Sequence, residues 1–183
     1  MTTALRILLL VALQTAALGY MIYDRIAILN SPDVVTLKVK PIDPSDMFRG
    51  DYVILAYDIS TLEPNDLPGD DNYVVSRPVF VTLAQHDGAW VVTSINNAMP
   101  QRSPGTVVLR GTVTSMGGTF GNSLHVDYGI ESFFVPQGQG KVIEDERQKG
   151  DLSAEIAIDA DGRGAIKSLR RADGTVMYVE GLF

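Results

Sequence analysis

The sequence predicts a mostly β fold, an antiparallel barrel or sandwich, preceded by one transmembrane α-helix. Three observations lead there. A charge-free apolar run lies near the N-terminus. Beyond it, apolar and polar positions alternate with period two, and clusters of Gly, Pro, Asn and Asp separate the alternating runs at the spacing of short strands. The expected division is 1–30 for the anchor with its exit linker and 31–183 for the β domain.

The apolar run covers Ile7 to Tyr23, seventeen positions without a charge. As a helix it spans roughly 25 Å, and Ala4 and Leu5 extend it towards the ~30 Å hydrocarbon core when Arg6 snorkels. Gln14 is its one strongly polar side chain. Tyr20 and Tyr23 sit at the distal end, where amphipathic rings favour the membrane–water boundary. Arg6 and the α-amine place positive charge before the run, whereas Asp24 and Arg25 cancel after it. That bias predicts a single-pass protein of the inner (cytoplasmic) membrane, N-terminus cytoplasmic and body outside. A cleaved signal peptide is a competing reading, with Thr15-Ala16-Ala17 or Ala17-Leu18-Gly19 as small-residue sites. A buried core helix is another. The run continues through Met21-Ile22-Tyr23 past both sites, which a spanning helix needs and a signal peptide does not. Ala12, Ala16 and Gly19, with Gln14, form a candidate helix-packing seam, although small residues are common in spans.

Residues 31–183 hold thirteen basic and twenty-one acidic groups once Arg6, Arg25 and Asp24 are set aside, a net of −8. Such a body repels phosphate backbones, so nucleic acid is not an expected partner. There is no cysteine, which removes disulfides, thiolate nucleophiles and Cys-ligated metals. Burial alone must hold the domain together.

Asn30-Ser31-Pro32-Asp33 reads as a short linker, followed by Val35, Leu37 and Val39 alternating with polar residues in a first strand. Further runs are Tyr52–Ile59, Tyr73–Leu83, Trp90–Ile95, Thr106–Val113, Ser123–Tyr128, Ala154–Ile158, Ala165–Leu169 and Val176–Val179. Asp161-Gly162 and Asp173-Gly174 supply positive φ cheaply and read as hairpin turns. Lys141–Lys149 is the one convincing short soluble helix. About nine strands at this spacing argue for a barrel or sandwich. A shift of 71 residues lays Gly50-Asp51 on Gly121-Asn122. It also lays Val53, Leu55, Tyr57 and Ile59 on Leu124, Val126, Tyr128 and Ile130. Each set of four occupies one face of its strand, so both strands are expected to bury aliphatic, aliphatic, tyrosine, isoleucine. This suggests two similar β units, 31–100 and 101–183, joined near Pro100–Gly105.

Residues 41–60, PIDPSDMFRGDYVILAYDIS, carry Gly50, Asp51, Tyr52, Leu55 and Tyr57 in a pattern that resembles the GDYxxLxY family of membrane-anchored proteins. The likeness extends to the anchor, Asp43-Pro44-x-Asp46, Arg110-Gly111, Asp127-Tyr128-Gly129-Ile130-Glu131, Phe134-Val135-Pro136 and Asp161-Gly162-Arg163. Gln137 departs from the acidic residue expected after Val-Pro. The resemblance implies a bacterial envelope protein, often encoded beside a multi-pass membrane protein, and brings no established activity.

Candidate chemistry is sparse. Asp43, Asp46, Asp51 and Asp58 cluster in sequence, but Asx-turn and strand-opening roles account for them better than a metal site. Asp159-Ala160-Asp161-Gly162 lacks the distal ligands of a calcium loop. His86 and His125 are the only histidines, and His125 falls on an outward strand position. Arg49-Gly50-Asp51 spells an adhesion tripeptide that the turn explains better. Ser45 before Gly50-Asp51 has the placement of a signal-peptidase-like nucleophile, yet the first lysine downstream is Lys141, too late to activate it in that arrangement. The expectation is therefore no catalytic residue, no metal and no cofactor. The leading function is an accessory or scaffolding module that sits in the lipid bilayer through Ile7–Tyr23 and docks on an integral membrane protein partner. The alternative is an envelope small-ligand binder or sensor, with Asp51, Tyr57, Tyr128 and Glu131 lining a cleft.

Overall fold

Leu- and Ala-rich sequence without internal proline favours a continuous helix, and α1 runs unbroken over Thr3–Leu29. The computed structural model describes residues 2–41, 52–117, 123–135 and 140–179. At 1.5 Å per residue α1 is about 40 Å long. Asn30 closes it: its backbone N–H and its Nδ2 both donate to the Ile26 carbonyl, each at 3.0 Å. Asn30–Pro32 is thus a capped turn, and the first strand begins directly at Asp33.

The strands follow as β1 (Asp33–Lys40), β2 (Tyr52–Ile54), β3 (Ala56–Tyr57), β4 (Thr61–Leu62), β5 (Pro78–His86), β6 (Ala89–Asn96), β7 (Thr106–Gly117), β8 (Ser123–Asp127) and β9 (Ser132–Phe134). Helix α2 (Gly140–Gln148) precedes β10 (Leu152–Ile158), β11 (Gly164–Arg171) and β12 (Val176–Val179). One five-stranded sheet has the order β12-β11-β10-β1-β3, the other β4-β8-β7-β5-β6, and β2 pairs with β9 as a two-stranded ribbon. Every named ladder is antiparallel. The inward positions predicted by alternation meet in one core: Val35, Leu37 and Val39 from one sheet join Val79, Val81, Leu83 and Leu109 from the other. The result is mostly β and sandwich-like. Each such buried side chain contributes roughly 1.5–3 kcal/mol relative to exposure.

Two predicted strands are revised. Tyr52–Ile59 does not run as one strand. At Leu55 the chain leaves the ladder, its N–H donating to the Glu131 carbonyl at 2.8 Å, so β2 joins β9 whereas β3 joins β1. A 3-10 turn over Asp58–Ser60 then takes over. Tyr73–Leu83 becomes strand only from Pro78, because Ser76 sits at φ +65° and Arg77 closes a turn onto Val74. Lys141–Lys149 matches α2 to within one residue.

Each sheet mixes early and late strands. Read from the outer side, β11-β10-β1-β3 in one sheet has the same order as β6-β5-β7-β8 in the other when early and late strands are exchanged.

Candidate functional site

The junction between helix and sheet is built by charge. Side chains of α1 are exposed through Tyr23; cover begins at Asp24, where the charge-free run ends, and Ile28 is buried. Arg163, in the β10–β11 connection, grips Asp24 with both terminal nitrogens, at 2.8 and 2.9 Å. Its Nε donates to Asp159 Oδ2 at 2.8 Å. Asp159 in turn holds its own loop, accepting the Asp161 and Arg163 N–H groups on Oδ1 at 3.0 and 2.8 Å. The Asp24 carboxylate, with Asp159 behind it, raises the Arg163 pKa above its usual value. Arg102 extends the network, donating to Asp33 Oδ2 at 2.6 Å and to the Asp159 carbonyl at 2.7 Å. Asp24 and Arg25 balance in net charge after the apolar run, and the fold brings to Asp24 a residue 139 positions away. Two-pronged guanidinium–carboxylate contacts fix orientation as well as distance, so the helix leaves the sheet at a set angle.

The second constellation gathers Tyr57, Tyr128 and Glu131. The Tyr57 hydroxyl donates to the Ile130 carbonyl and the Tyr128 hydroxyl to the Ile59 carbonyl, both at 2.7 Å. Both rings are buried, and burial raises both phenol pKa values, with the Glu131 charge adding to it. The hydroxyls therefore act as neutral donors. Glu131 folds its carboxylate back over its own turn, accepting the Tyr128 N–H at 2.7 Å and the Ile130 N–H at 2.8 Å. Asp127 does the same for Gly129 at 2.8 Å. Amide donors favour the Glu131 anion, but burial and the neighbouring Asp127 carboxyl outweigh them and lift its pKa to about 7. The predicted binding residues Tyr57, Tyr128 and Glu131 do come together, as a packed hydrogen-bonded node. Asp51, Gly50 and the acidic approach Asp43–Asp46 with Ser45 lie outside the described residues. Of the motif, Leu55 and Tyr57 are core and Tyr52 opens β2. His125 is exposed, its Nδ1 3.2 Å from Thr61 Oγ1.

Two concavities flank this node. A cleft of about 670 Å³ opens between β1, β6 and the start of β10, with Tyr57, Leu62, Leu67 and Trp90 among its apolar lining. A groove of about 630 Å³ lies beside Ile28 of α1, bordered by Arg110, Tyr128 and Arg163. Sequence reasoning missed the Asp24–Arg163 clamp and the burial of Arg147, whose Nη1 donates to the Ile54 carbonyl at 2.6 Å. For Arg147 a signal existed: it lies four residues from Ile143, on the same face of α2.

A family model described as "GDYXXLXY protein" matches residues 14–169. The chain belongs to this GDYXXLXY family. No curated protein and no solved structure matches it. The matched stretch spans the distal part of α1, the tyrosine node and Arg163, so the GDYXXLXY unit takes in the clamp as well as the motif that names it.

Proposed function

We propose that this GDYXXLXY protein is an extracytoplasmic accessory module, held in the inner membrane by α1 and docked on an integral membrane partner. The observation that carries this reading is the continuity of α1: a stretch whose apolar side chains have no cover among the described residues passes without a break into the Asp24–Arg163 clamp. A flexible tether would leave the body free to roam over the membrane. This junction instead gives the body one stance relative to the span, as a scaffold needs in order to present a surface to a neighbour. The small-residue seam supplies the contact in the bilayer: among the described residues nothing approaches within 4 Å of a Cβ built on Gly19, so a second helix can pack closely there.

The test is photocrosslinking in native membranes, from a reactive side chain placed at Ala12 or Ala16 on the seam and at Leu13 off it. Adducts with a multi-pass protein from the seam positions alone are expected. Absence of any adduct, or recovery of the intact chain in the aqueous fraction, overturns the reading. Epitope tags at the two termini reporting opposite sides of the membrane are the expected orientation result.

The alternative reading, an envelope ligand binder, has the 670 Å³ cleft in its favour. Its volume is that of an ordinary ligand site.

A further inference from the structure

Beyond the docking of the span, we propose that the cleft between β1 and β6 binds an extended polypeptide segment in which lysine or arginine alternates with apolar residues. The segment adds as a strand to the outer edge of β6.

The hairpin decides which backbone groups face out. Asp87 at φ +50° and Gly88 at φ +83° form a two-residue type I′ turn, so His86 and Ala89 are the hydrogen-bonded pair that closes it. Hydrogen-bonded and non-bonded pairs alternate along an antiparallel ladder. Trp90, opposite Gln85, and Val92, opposite Leu83, therefore turn their N–H and C=O groups away from β5. β6 is the terminal strand of its sheet. Among the described residues its outer edge is hydrogen-bonded at Ile95, by a parallel bridge to Gly69, while β1 passes close to the strand without pairing with it. There the Ile95 N–H donates to the Pro68 carbonyl and the Asp70 N–H to the Ile95 carbonyl, each at 3.0 Å. The edge already accepts an added strand at one end, and the Trp90–Val92 end opens onto the cleft. An edge whose outward backbone groups pair with no strand, beside a concave apolar surface, is the geometry of strand addition.

The side chains set the chemistry of the occupant. The floor, with Leu62, Leu67 and Trp90, suits apolar residues at alternate positions of a strand. The lip carries Glu63, Asp66 and Asp151 against Lys38, while Asp58 is paired with Lys40 at 3.1 Å. The surplus is negative, as is the whole body, so the occupant is cationic.

The chain's single tryptophan lies in the cleft and reports on binding without a label. The full-length protein, in zwitterionic detergent micelles, is titrated with three eight-residue peptides: alternating Lys-Val, alternating Glu-Val, and Lys-Val with alternate amides N-methylated. A saturable change in Trp90 emission is expected with Lys-Val, at least about tenfold weaker affinity with Glu-Val, and loss of binding on N-methylation. Neutralising the exposed lip with Glu63→Gln, Asp66→Asn and Asp151→Asn weakens Lys-Val several-fold and leaves the fold intact. No saturable change with Lys-Val, an equal response to Glu-Val, or undiminished binding of the N-methylated peptide each overturns the proposal. The crosslinking experiment addresses the span and not this cleft, so either idea can fail without the other.

Discussion

At the scale of single residues, the tyrosines are defined by what their hydroxyls do. Tyr57 and Tyr128 each bridge to a carbonyl two residues beyond the other tyrosine, so the pair of bonds locks β3 and the turn after β8 to one another. Tyr57→Phe or Tyr128→Phe leaves a buried carbonyl without its donor, which costs about 1–2 kcal/mol. Urea unfolding is expected to show a lowered midpoint at unchanged slope; an unaltered midpoint would mean the hydroxyls hold nothing. Glu131 makes a prediction of opposite kind. Its folded pKa is about 7 against a usual 4.5, so between those values the folded chain holds a proton the unfolded chain has lost. Stability from this group is complete below about pH 4.5, declines as pH rises through that window and levels off above pH 7. With its partial exposure, the change is on the order of 1–2 kcal/mol. Thermal midpoints followed from pH 4.5 to 8 should fall for the native chain and flatten in this interval for Glu131→Gln. Equal slopes for the two proteins would remove Glu131 as the cause. The burial of both tyrosines was legible in the sequence, because each lies in phase with three aliphatic residues. The role of Glu131 was not, since a carboxylate that folds back on its own turn leaves no periodic trace.

Elements are legible where alternation runs between clear turns, and less so where tertiary contacts shorten or extend them, as in β7, which continues four residues past its expected end at Val113. β1, β6, β8, β10, β11 and β12 follow the period-two runs to within about two residues, the ordinary uncertainty of strand ends. β4 and β9, two and three residues long, have no room for a period. The break at Leu55 depends on a bond to Glu131, 76 positions on, which no local pattern encodes. We propose that 31–100 and 101–183 descend from one duplicated unit. Supporting this are the matched strand order of the two sheets and the exchange of the two tyrosine bonds under the 71-residue shift. On this reading each half contributes strands to both sheets, and neither half expressed alone should give a dispersed amide spectrum, whereas mixing them should restore it. Close packing between elements gives a sharper test. A Cβ on Gly111 of β7 would fall 2.2 Å from Val126 Cγ1 and 2.9 Å from the Tyr128 ring. Gly111→Ala must displace that ring and its hydrogen bond together, at a cost of roughly 2–4 kcal/mol. The loss should exceed that of Tyr128→Phe; a smaller loss would show the ring seat to be loose.

For the whole molecule, the question is whether span and body move as one. The apolar run ends at Tyr23, but the sequence does not say that Asp24 next to it binds Arg163, because complementary charges 139 residues apart meet only through the fold. Ile28 is buried beside the ion pair and Arg25, Ile26 and Leu29 are partly covered, and to this packing the two-pronged grip on Asp24 adds a contact of fixed direction. Exposed ion pairs contribute little to stability, typically below about 1 kcal/mol. Arg163→Ala should therefore barely change the unfolding midpoint while widening the range of helix orientations. The absence of native cysteine makes this directly measurable, since two introduced cysteines carry the only spin labels. With labels at Tyr23 and Asp173, both exposed, the native clamp should give one narrow distance distribution in lipid nanodiscs. Arg163→Ala should broaden it severalfold, and Asp24→Asn should fall between the two, since the amide keeps an acceptor but loses the charge. A distribution equally narrow in all three proteins would show that packing at Ile28 alone sets the stance. It would also remove the physical basis for reading this body as a scaffold with a fixed face.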